Sequence, residues 1–265
     1  QDYQCLETDH PVMDRDEFNK LLNVSGQTSG RYRAKVLDIT YPIVESGSNL
    51  KQAMGELCKE ALAALDEGIN VLVLSDWNVS KDRVAIPSLL ATSGVHHFLV
   101  RKGRRTETGL IVETGSAREI HHFALLGGYG AEAVYPWLAI ETIEEQARKI
   151  GYDERQAVEN YKKAIGKGLF KVMSKMGIST YRSYCGAQIY EAIGLSETFV
   201  DEYFTGTPSN VGGIGITEVE REATLLHQSA FEESGLMSDI LDTGGEYALR
   251  TRGEAHMWTP ESISK

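Results

Sequence analysis

The chain has 265 residues and a mass of 29.3 kDa, with 42% hydrophobic and 25% charged residues. These proportions are those of an ordinary globular protein, and they exclude a disordered chain or a fibrous repeat. Lys and Arg total 27 against 38 Asp and Glu, so the net charge is −11 and the chain repels the phosphates of nucleic acids. The longest apolar runs are far shorter than the roughly 20 residues of a membrane-spanning helix. Neither a nucleic acid nor a membrane is therefore an expected partner.

Short apolar runs alternate with helical patterns along most of the chain. The clearest run is residues 70–76, whose continuous apolar centre is typical of a strand buried on both faces of a parallel sheet. Four further runs predict strands of the same kind, at residues 34–40, 108–113, 131–136 and 178–184.

Helical patterns separate these runs, at residues 49–67, 87–102, 116–126 and 153–176. Ser116 and Glu119 have the spacing of a capping box, and Gly166 and Gly168 are expected to break or bend the last helix. The alternation predicts an α/β fold. We expect a mostly parallel sheet with helices on its faces, built from open or incomplete-barrel-like βα repeats.

The pattern changes after about Gly194, where only one more helix is predicted, near residues 218–232. The end of the chain is polar and rich in glycine, with few apolar residues to bury. We therefore expect residues 1–235 to form one α/β domain and residues 236–265 to be a connection. The segment from Gly235 to Lys265 is expected to be the least stable part of the chain. Its apolar residues, Met257 and Trp258 among them, are expected to pack on a domain outside this sequence.

Acidic residues stand where three predicted strands end, at Asp38, Asp76 and Glu113. Ligands of parallel α/β proteins bind at the carboxyl ends of strands, so these are the site candidates for an independent enzyme. The alternative is a structural role, in which they cap the next helix or pair with arginines. The arginines considered for such pairing are Arg83, Arg104 and Arg118.

Two histidine pairs, His96-His97 and His121-His122, fall inside predicted helices. Adjacent helical residues point about 100° apart, so both members of a pair cannot face one metal ion. One histidine from each pair could still join Asp76 or Glu113 in a mixed nitrogen and oxygen site. The simpler interpretation is that the histidines pack against the sheet with their ring N–H groups satisfied.

Neither the glycine-rich stretches nor the cysteines encode a known cofactor motif. Residues 127–130 precede a strand, the reverse of a dinucleotide fingerprint, and residues 212–215 lack the spacing of a phosphate loop, so both are interpreted as turns. The three cysteines are widely spaced, which favours a reducing compartment over disulfides or an iron–sulfur cluster. These are Cys5, Cys58 and Cys185.

Several specific segments follow one another in a fixed order along the chain. In the first half these are residues 74–76 (Leu-Ser-Asp), 86–91 (Ile-Pro-Ser-Leu-Leu-Ala), 95–97 (Val-His-His), 112–124 (from Val-Glu-Thr-Gly to His-His-Phe-Ala) and 128–131 (Gly-Tyr-Gly-Ala). In the second half they are residues 171–180 (from Lys-Val-Met-Ser to Gly-Ile-Ser-Thr), 183–184, 186–189 (Gly-Ala-Gln-Ile), 191–195 and 204–209 (Phe-Thr-Gly-Thr-Pro-Ser). Together these segments resemble the central domain of glutamate synthase, and the resemblance runs over nearly the whole chain, from about Leu6 to Pro260.

The large subunit of that family joins a glutaminase domain, a central domain, an FMN-binding barrel with a 3Fe-4S cluster, and a β-helix. It converts glutamine, 2-oxoglutarate and two electrons into two glutamates, passing ammonia through an internal channel. The resemblance implies a central structural domain that positions the glutaminase and FMN-binding domains of the same polypeptide and helps to wall the ammonia path.

The resemblance also implies that this chain alone is inactive and carries no catalytic, cofactor-binding or metal-binding residue. FMN and the 3Fe-4S cluster are expected in the other domains. Asp76, Thr207 and Ser209 are the candidates for channel or interdomain contacts. The expected location is the cytoplasm, or the plastid of a photosynthetic eukaryote.

Three positions depart from the family pattern: Trp77 replaces a usual arginine, Phe98 a common histidine, and Cys185 a common lysine or arginine. These changes argue against catalytic roles at those positions. Two alternatives remain open at this point. One is a stand-alone α/β metal-dependent enzyme that uses the strand-end carboxylates and histidines, and the other is a nucleotide-binding module.

Overall fold

A computed structural model describes residues 6–43, 49–231, 243–245, 248–256 and 258–265. The chain divides into two compact units, Gln1–His227 and Gln228–Lys265. The domain boundary predicted at residues 235 and 236 lies outside the described residues. None of the helices that the described residues form is long and apolar enough to cross a membrane.

The strands, numbered along the chain, are β1 Ala34–Asp38, β2 Thr40–Pro42, β3 Val71–Ser75, β4 Arg83–Ala85, β5 Gly109–Glu113, β6 Ala133–Tyr135, β7 Ala192–Leu195 and β8 Ser209–Ile214. The α-helices are α1 Arg15–Leu22, α2 Val24–Gln27, α3 Leu50–Asp66, α4 Ser88–Arg101, α5 Ile120–Gly128, α6 Trp137–Lys149, α7 Glu154–Lys175, α8 Tyr181–Tyr184, α9 Glu197–Tyr203, α10 Ile216–Phe231 and α11 Pro260–Ser264.

The main sheet has four parallel strands in the order β1-β3-β5-β6, which is also their order in the chain. The register pairs Leu74 with Leu37 on one side and with Val112 on the other. Beyond β6, the backbone of Met13 donates to Val134 at 2.8 Å, so the segment before α1 extends that edge. The predicted α/β fold with a mostly parallel, open sheet is confirmed.

Alternate strand residues build the core on the two faces of the sheet. Leu72, Leu74 and Leu110 contact the buried sides of α3 and α4, and Val112 contacts α5. Because these residues share one face, all three crossover helices lie on that face, as in successive βα units of a barrel. The opposite face contacts α1 and α6, and its strand residues are Val71, Val73, Ile111, Ala133 and Tyr135.

Two small sheets flank the main one. Antiparallel β2 and β4 form the first, and parallel β7 and β8 form the second, with α9 between them in the chain. The glycine-rich residues 212–214 therefore lie at the end of a strand, and the prediction of a turn there is wrong. Gly213 is required where it stands, because a Cβ atom would lie 2.2 Å from the carbonyl oxygen of Gly194.

The strand predicted at residues 178–184 is also wrong, because this segment contains the short helix α8. Thr180 caps that helix by accepting from the backbone N–H of Ser183. The hydroxyl of Tyr184 donates to the carbonyl oxygen of Ala124 at 2.7 Å, which ties α8 to α5. A tertiary contact thus overrides the β-propensity of the preceding Ile178-Ser179-Thr180.

Two predictions about helix ends and interiors also fail. Helix α5 begins at Ile120, so Ser116 and Glu119 do not form a capping box. Helix α7 is continuous over 22 residues, and Gly166 and Gly168 are buried within it. A Cβ at Gly168 would lie 2.4 Å from Ile120, so this glycine permits close packing of α5 on α7.

The described residues of the second unit include the last residues of α10 and the short helix α11, which Thr259 caps together with Ser262. Trp258 is 72% exposed. Of the segment predicted to be least stable, residues 235–242, 246–247 and 257 lie outside the described residues, and that expectation stays a prediction.

Candidate functional site

The three strand-end carboxylates lie along one edge of the main sheet. The register places Asp38 of β1 beside Ser75 of β3, and Ser75 beside Glu113 of β5, while Asp76 directly follows β3. This edge is the carboxyl end of the parallel strands, where open α/β sheets bind their ligands. The sequence prediction that these acidic residues stand at the ends of strands is confirmed.

Asp76 is only 6% exposed and is held by two other segments of the chain. It accepts hydrogen bonds from Thr114 Oγ1 at 2.5 Å, from the backbone N–H of Gly115 at 2.9 Å, and from Trp137 Nε1 at 2.7 Å. Burial raises the pKa of Asp76, and these hydrogen bonds lower it in part. The side chain therefore fastens β3, the loop after β5 and the start of α6 to one another.

Glu113 is 8% exposed and binds the hydroxyl of Ser75 through one carboxylate oxygen. Burial raises its pKa, the bond from Ser75 lowers it, and the charge of Asp76 raises it further. Within the described part of the chain, Ser75 is its hydrogen-bond partner, and the carboxyl group borders an open groove. Two neighbouring carboxyl groups with raised pKa values at a strand end are a feature that often marks a functional site.

Asp38 takes the structural role that the sequence left open. It accepts from the backbone and hydroxyl of Thr40 at 2.8 and 2.7 Å, and it pairs with Arg83 at 3.3 Å. The pairing predicted with Arg83 is thus confirmed for Asp38. Arg104, by contrast, pairs with Asp66 and Glu107 and not with a strand-end carboxylate.

A groove of about 390 Å³ opens beside Glu113 on the face that carries α1. Arg15 of α1 reaches across to α6, where it pairs with Glu141 at 3.2 Å. Trp77 is 51% exposed at the groove, and its ring meets that of Trp137 edge-on at 4.9 Å. The groove is lined by Arg15, Phe18, Asn19, Leu22, Val36, Ser75, Trp77, Asn78, Glu113 and Tyr135.

Sequence reasoning missed Arg15 and Trp137 in this site. Both come from segments distant in the chain from the strand ends they approach, so no local spacing could reveal them. Trp77 was noted as a departure from the family pattern, and the ring contact with Trp137 shows what the aromatic side chain does there.

The first histidine pair lies away from the strand-end carboxylates. Nε of Arg105 donates to Nδ1 of His96 at 3.0 Å, and His97 contacts the amide of Gln188 through Nε2. Burial, followed by nearby positive charge, lowers the pKa of each of these histidines to about 4. Both rings are therefore neutral at pH 7 and bonded within the protein.

The second pair lies at the start of α5. His122 accepts from the backbone N–H of Arg118 at 3.1 Å and lies 3.2 Å from Glu119, while His121 is exposed. Across the residues that the structure describes, no group of three or more His, Cys, Asp or Glu could hold a metal ion. The metal-dependent alternative, which needs a histidine from each pair beside Asp76 or Glu113, is not favoured.

Thr207 and Ser209 lie apart from the strand-end site. The hydroxyl of Thr207 is buried and shares a 2.8 Å hydrogen bond with Tyr129, the residue after α5. A crossover helix begins near the carboxyl ends of the parallel strands and ends near their amino ends. The contact at the end of α5 is therefore remote from Asp76. Ser209 begins β8, where it pairs with Ala192 and is half-buried.

Comparison with known families agrees with this fold and with the sequence resemblance. The family described as the glutamate synthase central domain matches residues 1–196. The chain belongs to the glutamate synthase central domain family.

Curated relatives are glutamate synthases from bacteria, fungi and algae. Identity is 39% to the NADPH large chain of Bacillus subtilis, over 96% of this chain and 16% of that protein. It is 40% to the NADH enzyme of Saccharomyces cerevisiae, over 96% and 12%. It is 37% to the ferredoxin-dependent enzyme of Pyropia yezoensis, over 97% and 17%. The chain thus spans about a sixth or less of the length of these relatives.

Among solved structures, the chain is similar to a mutant flavocytochrome b2 with benzoylformate. The sequence identity is 12% and the TM-score is 0.40, over 67% of this chain and 45% of that one. A similarity this weak adds nothing to the assignment.

Proposed function

We propose that this chain is the central domain of a glutamate synthase large chain, which makes two glutamates from glutamine, 2-oxoglutarate and two electrons. The observation that carries the proposal is the 39% identity that covers 96% of this chain but 16% of the Bacillus subtilis large chain. The chain by itself supplies no reaction step, and its role is to position the glutaminase and FMN-binding domains of the same polypeptide.

Within that role, the carboxyl edge of the main sheet would wall part of the ammonia path. Ammonia that escapes to water is protonated and lost as a nucleophile, so the walls of the path must exclude solvent and hold their shape. The hydrogen bonds that Asp76 accepts from Thr114, Gly115 and Trp137 support this role, because they fix the strand end and two neighbouring segments.

Thr207 and Ser209 would serve a different contact, with a neighbouring domain. The buried Thr207 hydroxyl is already bonded to Tyr129, so this residue would support the surface segment around it instead of touching the other domain itself. Ser209 is partly exposed at the start of β8 and is the one able to touch another domain.

The FMN and the 3Fe-4S cluster of the parent enzyme would belong to its other domains. Burial raises the pKa of Cys58 to about 11 and that of Cys185 to about 12, so both are protonated at pH 7. Iron–sulfur clusters need clustered thiolates, and these two described cysteines are free and do not fit that need.

The compartment of the parent enzyme would be the cytoplasm, or a plastid in a photosynthetic eukaryote. The ferredoxin-dependent relative from rice, which is 37% identical, is named as chloroplastic. The three cysteines of the sequence suit either reducing compartment.

The test compares this chain alone with the full-length polypeptide that contains it. The full-length protein should be yellow and should form glutamate from glutamine and 2-oxoglutarate with a reductant. The isolated chain should be colourless and inactive. A full-length protein without that activity, or FMN bound stoichiometrically to the isolated chain, would refute the proposal.

A further inference from the structure

One segment of this acidic chain carries only positive charge. Residues 160–190 contain no Asp or Glu, although the whole chain has a net charge of −11. The basic residues of the segment are Lys162, Lys163, Lys167, Lys171, Lys175 and Arg182. Five of these six lie on α7, so one helix concentrates the positive charge.

Four lysines form a stripe on the exposed side of α7, which we call the lysine face: Lys163, Lys167, Lys171 and Lys175. Each step of four residues turns the helix by about 40°, so the stripe covers about 120° and is roughly 18 Å long. All four side chains are exposed. Within the described ranges, none of them has a carboxylate near enough for an ion pair, whereas the buried Lys162 is paired with Asp14 and Glu17.

The fold of this chain does not explain the lysine face. Helix α7 is packed through its opposite side, by Val158, Ile165, Leu169 and Met173. Like charges four residues apart on a helix destabilise it by roughly 0.2–0.5 kcal/mol per pair, and the lysine face contains three such pairs in succession. The stripe therefore weakens the isolated helix and needs a compensating partner.

An exposed aromatic ring lies at the border of the lysine face. Phe170 is 69% exposed. It follows Lys167 by three residues and directly precedes Lys171, so it lies on the same side of α7 as the lysine face. Protein interfaces combine aromatic anchors with a charged rim, and Phe170 with the lysines has this composition.

We propose that the lysine face docks an acidic surface of another domain of the same polypeptide. The inference rests on the proposed function, since it takes the chain to be part of a longer protein like relatives of which it spans 12–17%. The partner surface would present carboxylates about 6 Å apart, as Glu residues four apart on a helix do, and an apolar spot for Phe170.

The extent of the positive surface favours a folded acidic domain over a nucleic acid or a membrane. An extended polyanion would run past the first lysine of the roughly 18 Å stripe onto the acidic start of α7. Asp153 and Glu154 lie at the start of α7, and α6, which packs beside it, carries Glu144 and Glu145. A compact acidic patch can match the stripe without meeting these charges.

The test is zero-length carbodiimide cross-linking of the full-length polypeptide, which joins lysines only to carboxylates in direct contact. We expect mass spectrometry to find Lys167 or Lys171 joined to Asp or Glu of another domain. Mixed isotope-labelled and unlabelled protein shows whether each cross-link lies within one polypeptide. In parallel, acetylation of the lysine face should be several-fold slower in the full-length protein than in this chain alone, with Lys51 and Lys59 on α3 unchanged.

Three results would overturn the inference. They are cross-links only to a second copy or to another protein, acetylation as fast as at Lys51 and Lys59, and slow acetylation without any cross-link to a carboxylate. The double variant Lys167→Glu/Lys171→Glu should abolish the protection of Lys163 and Lys175, while Lys51→Glu/Lys59→Glu should leave it intact. If protection fails while the full-length protein still forms glutamate from glutamine, the docking inference alone is refuted.

Discussion

Thr114 Oγ1 donates a 2.5 Å hydrogen bond to Asp76 Oδ2, which links the segments that follow two neighbouring strands. Asp76 follows β3 and Thr114 follows β5. Their side-chain hydrogen bond therefore joins the two segments just beyond the last backbone pair of these strands. The backbone N–H of Gly115 and the indole of Trp137 complete the set of donors. Because hydrogen bonds to a charged acceptor contribute about 1.5–3 kcal/mol each, the strand ends form a rigid edge.

Replacing Gly168 by Ala should destabilise the protein. Alanine is favoured over glycine in a helix interior by about 1 kcal/mol, but the new Cβ would lie 2.4 Å from two atoms of Ile120. Overpacking of a buried contact costs about 1–3 kcal/mol or more, so the net effect should be a loss of unfolding free energy. Urea denaturation measures the difference from the wild type.

Gly55 provides the matched control on α3. It is exposed, and a Cβ there would meet nothing within 4 Å, so Gly55→Ala should stabilise the protein by roughly 0.5–1 kcal/mol. Stabilisation by both substitutions would show that α5 and α7 are not in the close contact described here.

Protonation of His97 should weaken the fold as the pH falls. Its pKa is lowered from 6.5 to about 4 in the folded protein, so the unfolded chain binds a proton first. Its contribution to stability is complete above pH 6.5 and is lost as the pH falls towards 4, by up to about 1.4 kcal/mol per pH unit. The unfolding free energy of His97→Gln should therefore depend less steeply on pH over this range than that of the wild type.

Comparison of these two proteins isolates the histidine. Asp76 and Glu113 have raised pKa values, so their contributions change in the opposite sense and decline as the pH rises through those values. They are present in both proteins and cancel in the difference. Identical pH slopes for the wild type and His97→Gln would contradict the buried, neutral state of His97.

Lys162 should be the lysine of α7 that matters most for stability. Its side chain is 7% exposed, and its ammonium group binds Asp14 at 3.0 Å and Glu17 at 2.8 Å, the two residues of the capping box of α1. Both acids are partly exposed, so we expect Lys162→Ala to cost roughly 2 kcal/mol, less than a fully buried pair. Lys163→Ala, one residue away and exposed, should change the thermal midpoint little, and equal losses for both would contradict the ion-pair arrangement.

The elements with continuous apolar runs could be predicted from the sequence, and those set by distant contacts could not. Residues 70–76 indicated β3 because a strand buried on both faces needs apolar residues throughout. Residues 178–184 suggested a strand, yet Thr180 caps a helix that Tyr184 fastens to Ala124, a contact across 60 residues of chain. Local propensity contains no information about such a partner.

The residues of the candidate site also fall into those that the sequence predicts and those that depend on distant contacts. Asp76 and Glu113 could be placed at one edge because parallel strands align their carboxyl ends. Trp137 and Arg15 could not be placed there from the sequence. Trp137 reaches the edge from α6 and Arg15 from α1, and these helices lie on the face of the sheet opposite the crossover helices. The two glycines of α7 suggested a break from helix propensity alone, whereas the structure packs Gly166 against His10 and Gly168 against Ile120.

If the strand-end edge around Asp76 helps to seal an ammonia path in a glutamate synthase, as proposed, the amide nitrogen of glutamine should reach glutamate without mixing with ammonium in the solvent. The most direct measurement supplies the full-length enzyme with glutamine labelled with ¹⁵N in its amide, together with unlabelled ammonium, and follows the label in newly formed glutamate. We predict that the wild type and the exposed-site control Asp66→Ala keep the label, while folded Asp76→Ala loses it in proportion to the added ammonium. Retention of the label by Asp76→Ala, with native circular dichroism, would contradict the account.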